Sequence, residues 1–203
     1  MNRALRSLLF SLLLSGCTAA SAATIEATET DNCLRCHASN DTPISRAAPQ
    51  LSGLKSPYIL RQLIAFQQGE RGDSSAPARE MATAIRPYQP QQLEALAHWA
   101  ADQQGEKRFD HTRAQSEPGA VLFAEQCRGC HQSFMGRLMT GSPRLDYLSS
   151  SYINRQLQLF ADGKRQIADA NKHQLKMIMV VKALSSEQLV ELKAFITAAT
   201  TAP

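Results

Sequence analysis

Two thiols and an imidazole recur in one fixed spacing, as Cys33-Leu34-Arg35-Cys36-His37 and, 94 positions later, as Cys127-Arg128-Gly129-Cys130-His131. In C-x-x-C-H the cysteines stand one helical turn apart. Both sulfurs can then form thioether bonds to the two vinyl groups of a haem while the adjacent imidazole reaches the iron. The expected cofactors are two covalently bound haem c groups, tethered by Cys33 and Cys36 and by Cys127 and Cys130, with His37 and His131 as iron ligands. Other uses of the same atoms are zinc binding, a thioredoxin-like redox pair and a plain disulfide. Zinc needs four ligands close in sequence, the redox pair needs a βαβ background, and a disulfide between residues three apart is strained. The chain offers none of these settings.

A second iron ligand is sought among residues that keep the repeat. Met81 and Met177 lie 44 and 46 positions after His37 and His131, and nine and eight positions before Pro90 and Ser185, where the last helices are read to begin. A thioether opposite the imidazole favours ferrous iron and closes the coordination sphere, which suits outer-sphere electron transfer. Met135, Met139 and Met179 compete in the second unit, but only Met177 is in register. The alternative role for these methionines is core filling. His98, His111 and His173 fall outside both motifs and are read as surface or packing residues.

These residues must be positioned by a repeated scaffold. A shift of 94 superposes Pro49-Gln50-Leu51 on Pro143-Arg144-Leu145, Tyr58-Ile59 on Tyr152-Ile153, Arg61-Gln62-Leu63 on Arg155-Gln156-Leu157, Phe66 on Phe160, Gly69 on Gly163 and Arg71 on Arg165. At a shift of 96, Met81 meets Met177, Leu93 meets Leu189 and Trp99 meets Phe195. Self-similarity at this period identifies a tandem duplication.

The local signals are helical throughout, and the fold class is all-α, with two tandem cytochrome c-type helical haem domains. One helix leads into each cysteine pair, about residues 26 to 38 and 118 to 132. A second carries Tyr58, Leu60, Leu63, Ile64 and Phe66, or Tyr152, Ile153, Leu157 and Phe160, at helical spacing. Ser56-Pro57 is read as its cap and first turn, and Gly69 and Gly163 as its stops. The last helices begin at Pro90 and at the capping box Ser185-Ser186-Glu187-Gln188. They present Leu93, Leu96, Ala97 and Ala100, or Leu189, Leu192, Phe195 and Ile196, on one face. Residues 24–105 form the first expected domain, 106–116 a polar linker and 117–203 the second domain. Each unit has about 80 to 90 residues, a size at which an apolar core is marginal, so a bulky apolar group is expected to complete it.

Residues 1–22 read as an export signal: Arg3 and Arg6, an apolar run from Leu8 to Leu14, then small residues. The run is far shorter than the roughly 20 residues of a membrane-spanning helix. Processing has two candidate sites, a lipobox ending at Cys17, which would be lipidated, and the Ala20-Ser21-Ala22 pattern. The fifth cysteine is thereby explained by export, and the other four fill the two motifs. Residues 24–110 carry 9 Lys+Arg against 11 Asp+Glu, and residues 111–203 carry 11 against 7, so the halves have opposite net charge. Basic residues interspersed with acids, behind an export signal, exclude a nucleic-acid role.

With CLRCH and CRGCH, the following P-x-L, the Y-I-x-R-Q-L-x-x-F-x-x-G helix and a methionine before the last helix, the chain resembles the dihaem cytochrome c4 family over about residues 30 to 200. The resemblance implies that the carbonyls of Pro49 and Pro143 accept a hydrogen bond from His37 and His131, fixing the tautomer of each ligand. Tyr58 and Tyr152 are open to packing or to a hydrogen bond near a haem propionate. The chain departs from the family in lacking Gly-rich segments after the motifs. It also carries Arg144 after the second proline and Tyr147 where the first unit has Gly53. The implied function is a periplasmic electron carrier between a membrane-bound respiratory donor and a terminal oxidase or reductase. The alternatives are a dihaem peroxidase, or the cytochrome subunit of a periplasmic dehydrogenase.

Overall fold

The computed structural model describes residues 25–38, 47–110, 117–165, 167 and 170–200. The stretch read as an export signal, Cys17 included, lies outside the described residues. Ten helices follow in chain order among them: α1 Ala27–His37, α2 Ser56–Gln67, α3 Ala76–Ile85, α4 Pro90–Ala101, α5 Pro118–Gln126, α6 Arg128–His131, α7 Phe134–Thr140, α8 Ser150–Ala161, α9 Lys172–Ala183 and α10 Ser186–Ala199. Among these residues β pairing is confined to an isolated bridge between Phe109 and Thr200. No helix among them is long and apolar enough to cross a membrane.

Local sequence sets most helix ends. In α10 the Ser185 hydroxyl accepts from the Gln188 amide (3.1 Å) while the Gln188 side chain accepts from the Ser185 amide (2.9 Å), the reciprocal cap expected there. Gly69 (φ 78) and Gly163 (φ 68) take the left-handed conformation that ends α2 and α8. One expected cap is different. Ser56 is the first residue of α2, the cap position is held by Lys55 without a side-chain bond, and Pro57 fills the first turn. The helices bearing the methionines are capped by Ser75, whose hydroxyl accepts from the Ala78 amide, and by Asn171, which accepts from His173 and Gln174.

Two cores form, one per repeat. In the first, α2 packs on α4 through Leu51, Leu54, Ile59, Leu63, Ile85, Leu93, Leu96, Ala97 and Ala100. In the second, α5 and α8 pack on α10 around a trio of rings. Phe109 and Phe123 lie 5.4 Å apart edge-on, Phe109 and Phe195 6.1 Å, and Phe123 and Phe195 5.5 Å. Phe109 is 3% exposed, so the stretch read as linker in fact delivers a ring to the second core. Its neighbours are pinned as well: the amides of Arg108 and Phe109 donate to the Asp146 carbonyl (2.6 and 2.9 Å), and that of Asp110 to the Ala199 carbonyl (2.8 Å).

The second motif helix also differs from expectation. A single helix over 118–132 is broken at Cys127 (φ −115, ψ −44) into α5 and α6. The next segment then forms α7, capped by Ser133 and ended by Gly141 in the left-handed region.

Candidate haem sites and the seam between the repeats

Helix α1 carries Cys33 and Cys36 on successive turns and ends on His37. These three side chains, together with Met81 from α3, line one cavity of about 630 Å³ whose walls are largely apolar, including Leu51, Leu54, Ile59, Leu63, Phe66, Ile85, Leu96 and Trp99. That volume is within the range of cofactor pockets. His37 Nδ1 donates to the Pro49 carbonyl across 2.8 Å. A carbonyl can only accept, so the proton is on Nδ1 and Nε2 keeps its lone pair for a metal. Burial holds the His37 imidazole below its usual value against the opposing effect of the Pro49 bond, which favours the neutral, ligating form.

The second set is arranged alike around a different core. His131 is buried, its Nδ1 donates to the Pro143 carbonyl across 2.9 Å, and burial again lowers its pKa. Cys127 and Met177 both pack against the second core. The competing thioethers are solvent-facing, Met179 and Met139 being 70% exposed and Met135 57%. Exposure to that degree leaves Met177 as the methionine packed against the core that also holds Cys127.

None of the four motif cysteines is paired in a disulfide. Burial pushes the Cys127 thiol up to about 12, with Cys130 adding to the shift, and burial followed by the charge of Glu29 raises Cys33. A reactive C-x-x-C pair has the opposite shift, toward thiolate. Among the described residues no three His, Cys, Asp or Glu side chains converge as a metal-binding group, which leaves the zinc reading without a donor set. An apolar cavity with two thiols, an imidazole presenting Nε2 and a thioether fits a covalently tethered haem.

Sequence reasoning missed what joins the two repeats. Arg71 donates to Gln62 (2.6 Å) and to Gln156 (3.4 Å), and Arg165 donates to Gln156 (2.6 Å) and to Gln62 (3.0 Å). The quartet obeys the duplication, each arginine bonding the glutamine of its own repeat and that of the other. The guanidinium of Arg71 lies 4.3 Å from the Phe66 ring centroid and that of Arg165 4.5 Å from Phe160. Burial, then the neighbouring Arg165, lower the Arg71 pKa, while the Tyr152 and Tyr58 phenols oppose the shift. Register was the available signal, since both arginines and both glutamines recur at the same offset. Gly53 and Tyr147, equivalent in the repeat, meet at the same seam. A Cβ on Gly53 (φ 73) would stand 2.2 Å from Tyr147 Cδ2, so the missing second glycine is a ring packed on the first.

Comparison with known proteins agrees with this geometry. The family model for cytochrome c matches residues 116–200. Cytochrome c4 of Stutzerimonas stutzeri is 28% identical over 179 residues, covering 81% of this chain and 85% of the relative. Cytochrome c4 of Pseudomonas aeruginosa is 27% identical over 207 residues, covering 97% and 98%. The chain is thus similar to cytochrome c4 along most of its length. The fold is shared with the crystal structure of reduced recombinant cytochrome c4 from Pseudomonas stutzeri, at a TM-score of 0.62 and 24% identity, over 85% of this chain and 95% of that one. It is also shared with thiosulfate dehydrogenase from Marichromatium purpuratum, at a TM-score of 0.55 and 22% identity, over 81% of this chain and 36% of that one. The cytochrome c match and the two C-x-x-C-H units support a c-type cytochrome electron carrier with two haem c groups.

Proposed function

We propose that this chain is a periplasmic dihaem electron carrier, passing electrons from a membrane-bound respiratory donor to a terminal oxidase or reductase. Cys33 and Cys36 tether the first haem and Cys127 and Cys130 the second. His37 with Met81 would hold the first iron, and His131 with Met177 the second. When bound, each haem supplies one-electron Fe(III)/Fe(II) cycling.

The chain's own residues do the rest. The Pro49 and Pro143 carbonyls hold each imidazole in one tautomer and orientation and raise its basicity. The largely apolar walls of the first site would limit water there, and the methionine thioethers would take the position that a substrate would need. Lipidation of Cys17 would keep the carrier at the membrane surface.

One observation carries this reading: Cys33, Cys36, His37 and Met81 line a single apolar cavity, with His37 Nδ1 bound to a carbonyl. The test is a reduced-minus-oxidised spectrum of the purified mature protein, followed by carbon monoxide. Two low-spin covalent haems that ignore carbon monoxide are expected. A high-spin iron that binds it would contradict the carrier and favour the peroxidase.

A further inference from the structure

The first cavity is not walled by the first repeat alone. Leu148, Tyr152, Arg155 and Gln156, all from the second repeat, complete it. Arg155 differs from the other cations there. Arg71 is engaged by two glutamines and a ring, whereas Arg155 has no hydrogen bond or ion pair among the described residues and is half-buried. Glu29 and Glu80 also line this cavity, yet no ion pair joins either to Arg155. Its repeat equivalent, Arg61, crosses in the opposite direction and is satisfied, donating to the Gly141 carbonyl of the second repeat across 3.0 Å. The crossed pair is therefore unequal. A guanidinium at a cavity wall stays charged and offers a fork of donors suited to a carboxylate.

We propose that Arg155 is a cross-repeat positioning residue for the first centre: it takes a carboxylate of the group filling that cavity and raises that centre's reduction potential from the other half of the chain. The inference rests on the functional reading above. Reduction adds one electron to the first centre and leaves Arg155 chemically unchanged, so its charge favours the reduced state. Removing the charge also leaves the carboxylate uncompensated, and both effects favour the oxidised state. A unit charge roughly 10 Å from a partly buried centre changes such an equilibrium by about tenfold.

The test is a potentiometric titration of the full-length holoprotein as wild type, Arg155→Gln, Arg155→Lys and Arg61→Gln. The two steps are assigned with Met177→His, which displaces the second centre alone. Arg155→Gln is expected to lower the first potential by about 59 mV, the equivalent of tenfold for a one-electron couple, and to leave the second in place. Arg155→Lys keeps the charge and most of the potential, and Arg61→Gln leaves the first centre unmoved. An unmoved first potential in Arg155→Gln, an equal shift of both centres, or a full loss in Arg155→Lys overturns the proposal. If wild type itself lacks two covalent low-spin haems, the functional reading fails first and takes this one with it. Loaded protein with unmoved potentials sinks only the cross-repeat role.

Discussion

The two repeats carry the same candidate ligand residues on unlike supports. The first surrounds its cysteines, histidine and methionine with an aliphatic core and a cavity of about 630 Å³ that borrows a wall from its neighbour. The second rests on three interlocked phenylalanine rings, one of them delivered by the connecting segment, and interrupts its motif helix at Cys127. After duplication, the chemistry at C-x-x-C-H stayed fixed while packing diverged. The first repeat shares the wall of its cavity with the second, whereas the second draws a ring of its core from the connecting segment.

The sharpest way to break that contrast is to remove the tethers. Cys33→Ala with Cys36→Ala is expected to halve covalent haem content and to lose most helical signal from the first repeat. Cys127→Ala with Cys130→Ala should halve the haem content while the second repeat keeps much of its helix; circular dichroism with haem quantitation reads both. Next in size, Phe195→Ala removes the centre of the ring trio and should cost about 3–5 kcal/mol in denaturant unfolding, falling on the second repeat.

The seam comes third. Arg71→Met leaves two glutamine oxygens short of a charged donor and should cost about 1.5–3 kcal/mol. Combined with Arg165→Met the losses should not add, because the two arginines share both acceptors, and a double-mutant cycle measures the difference. Gly53→Ala follows, at about 1–2 kcal/mol for the left-handed backbone plus the ring contact, and Tyr147→Ala in the same chain should recover only the contact part. Ser185→Ala is the smallest, about 1 kcal/mol in thermal unfolding, through the lost cap.

Much of this architecture is legible in the sequence because it is local. Helical period, the Ser185 capping box and the stops at Gly69 and Gly163 depend on a few neighbouring residues, and the structure has all of them. The imidazole-to-proline bonds came from family resemblance and occur in both repeats. What could not be read is tertiary. Phe109 sits in a polar stretch, and a lone apolar residue there does not announce that it docks on Phe123 and Phe195. The break at Cys127 has no proline in CRGCHQSF to announce it, whereas the helix Phe134–Thr140 carries local signals, the Ser133 cap and the Gly141 stop, that the sequence reading passed over. The Arg–Gln quartet was visible as four matched positions, but matching does not reveal that they face one another.

Intact-mass spectrometry of the denatured mature protein, made in a host that matures c-type cytochromes, tests the central claim most directly. The account predicts a polypeptide heavier by two haems, both surviving denaturation, with one lost in Cys33→Ala/Cys36→Ala and the other in Cys127→Ala/Cys130→Ala. A mature chain with one haem or none would contradict it.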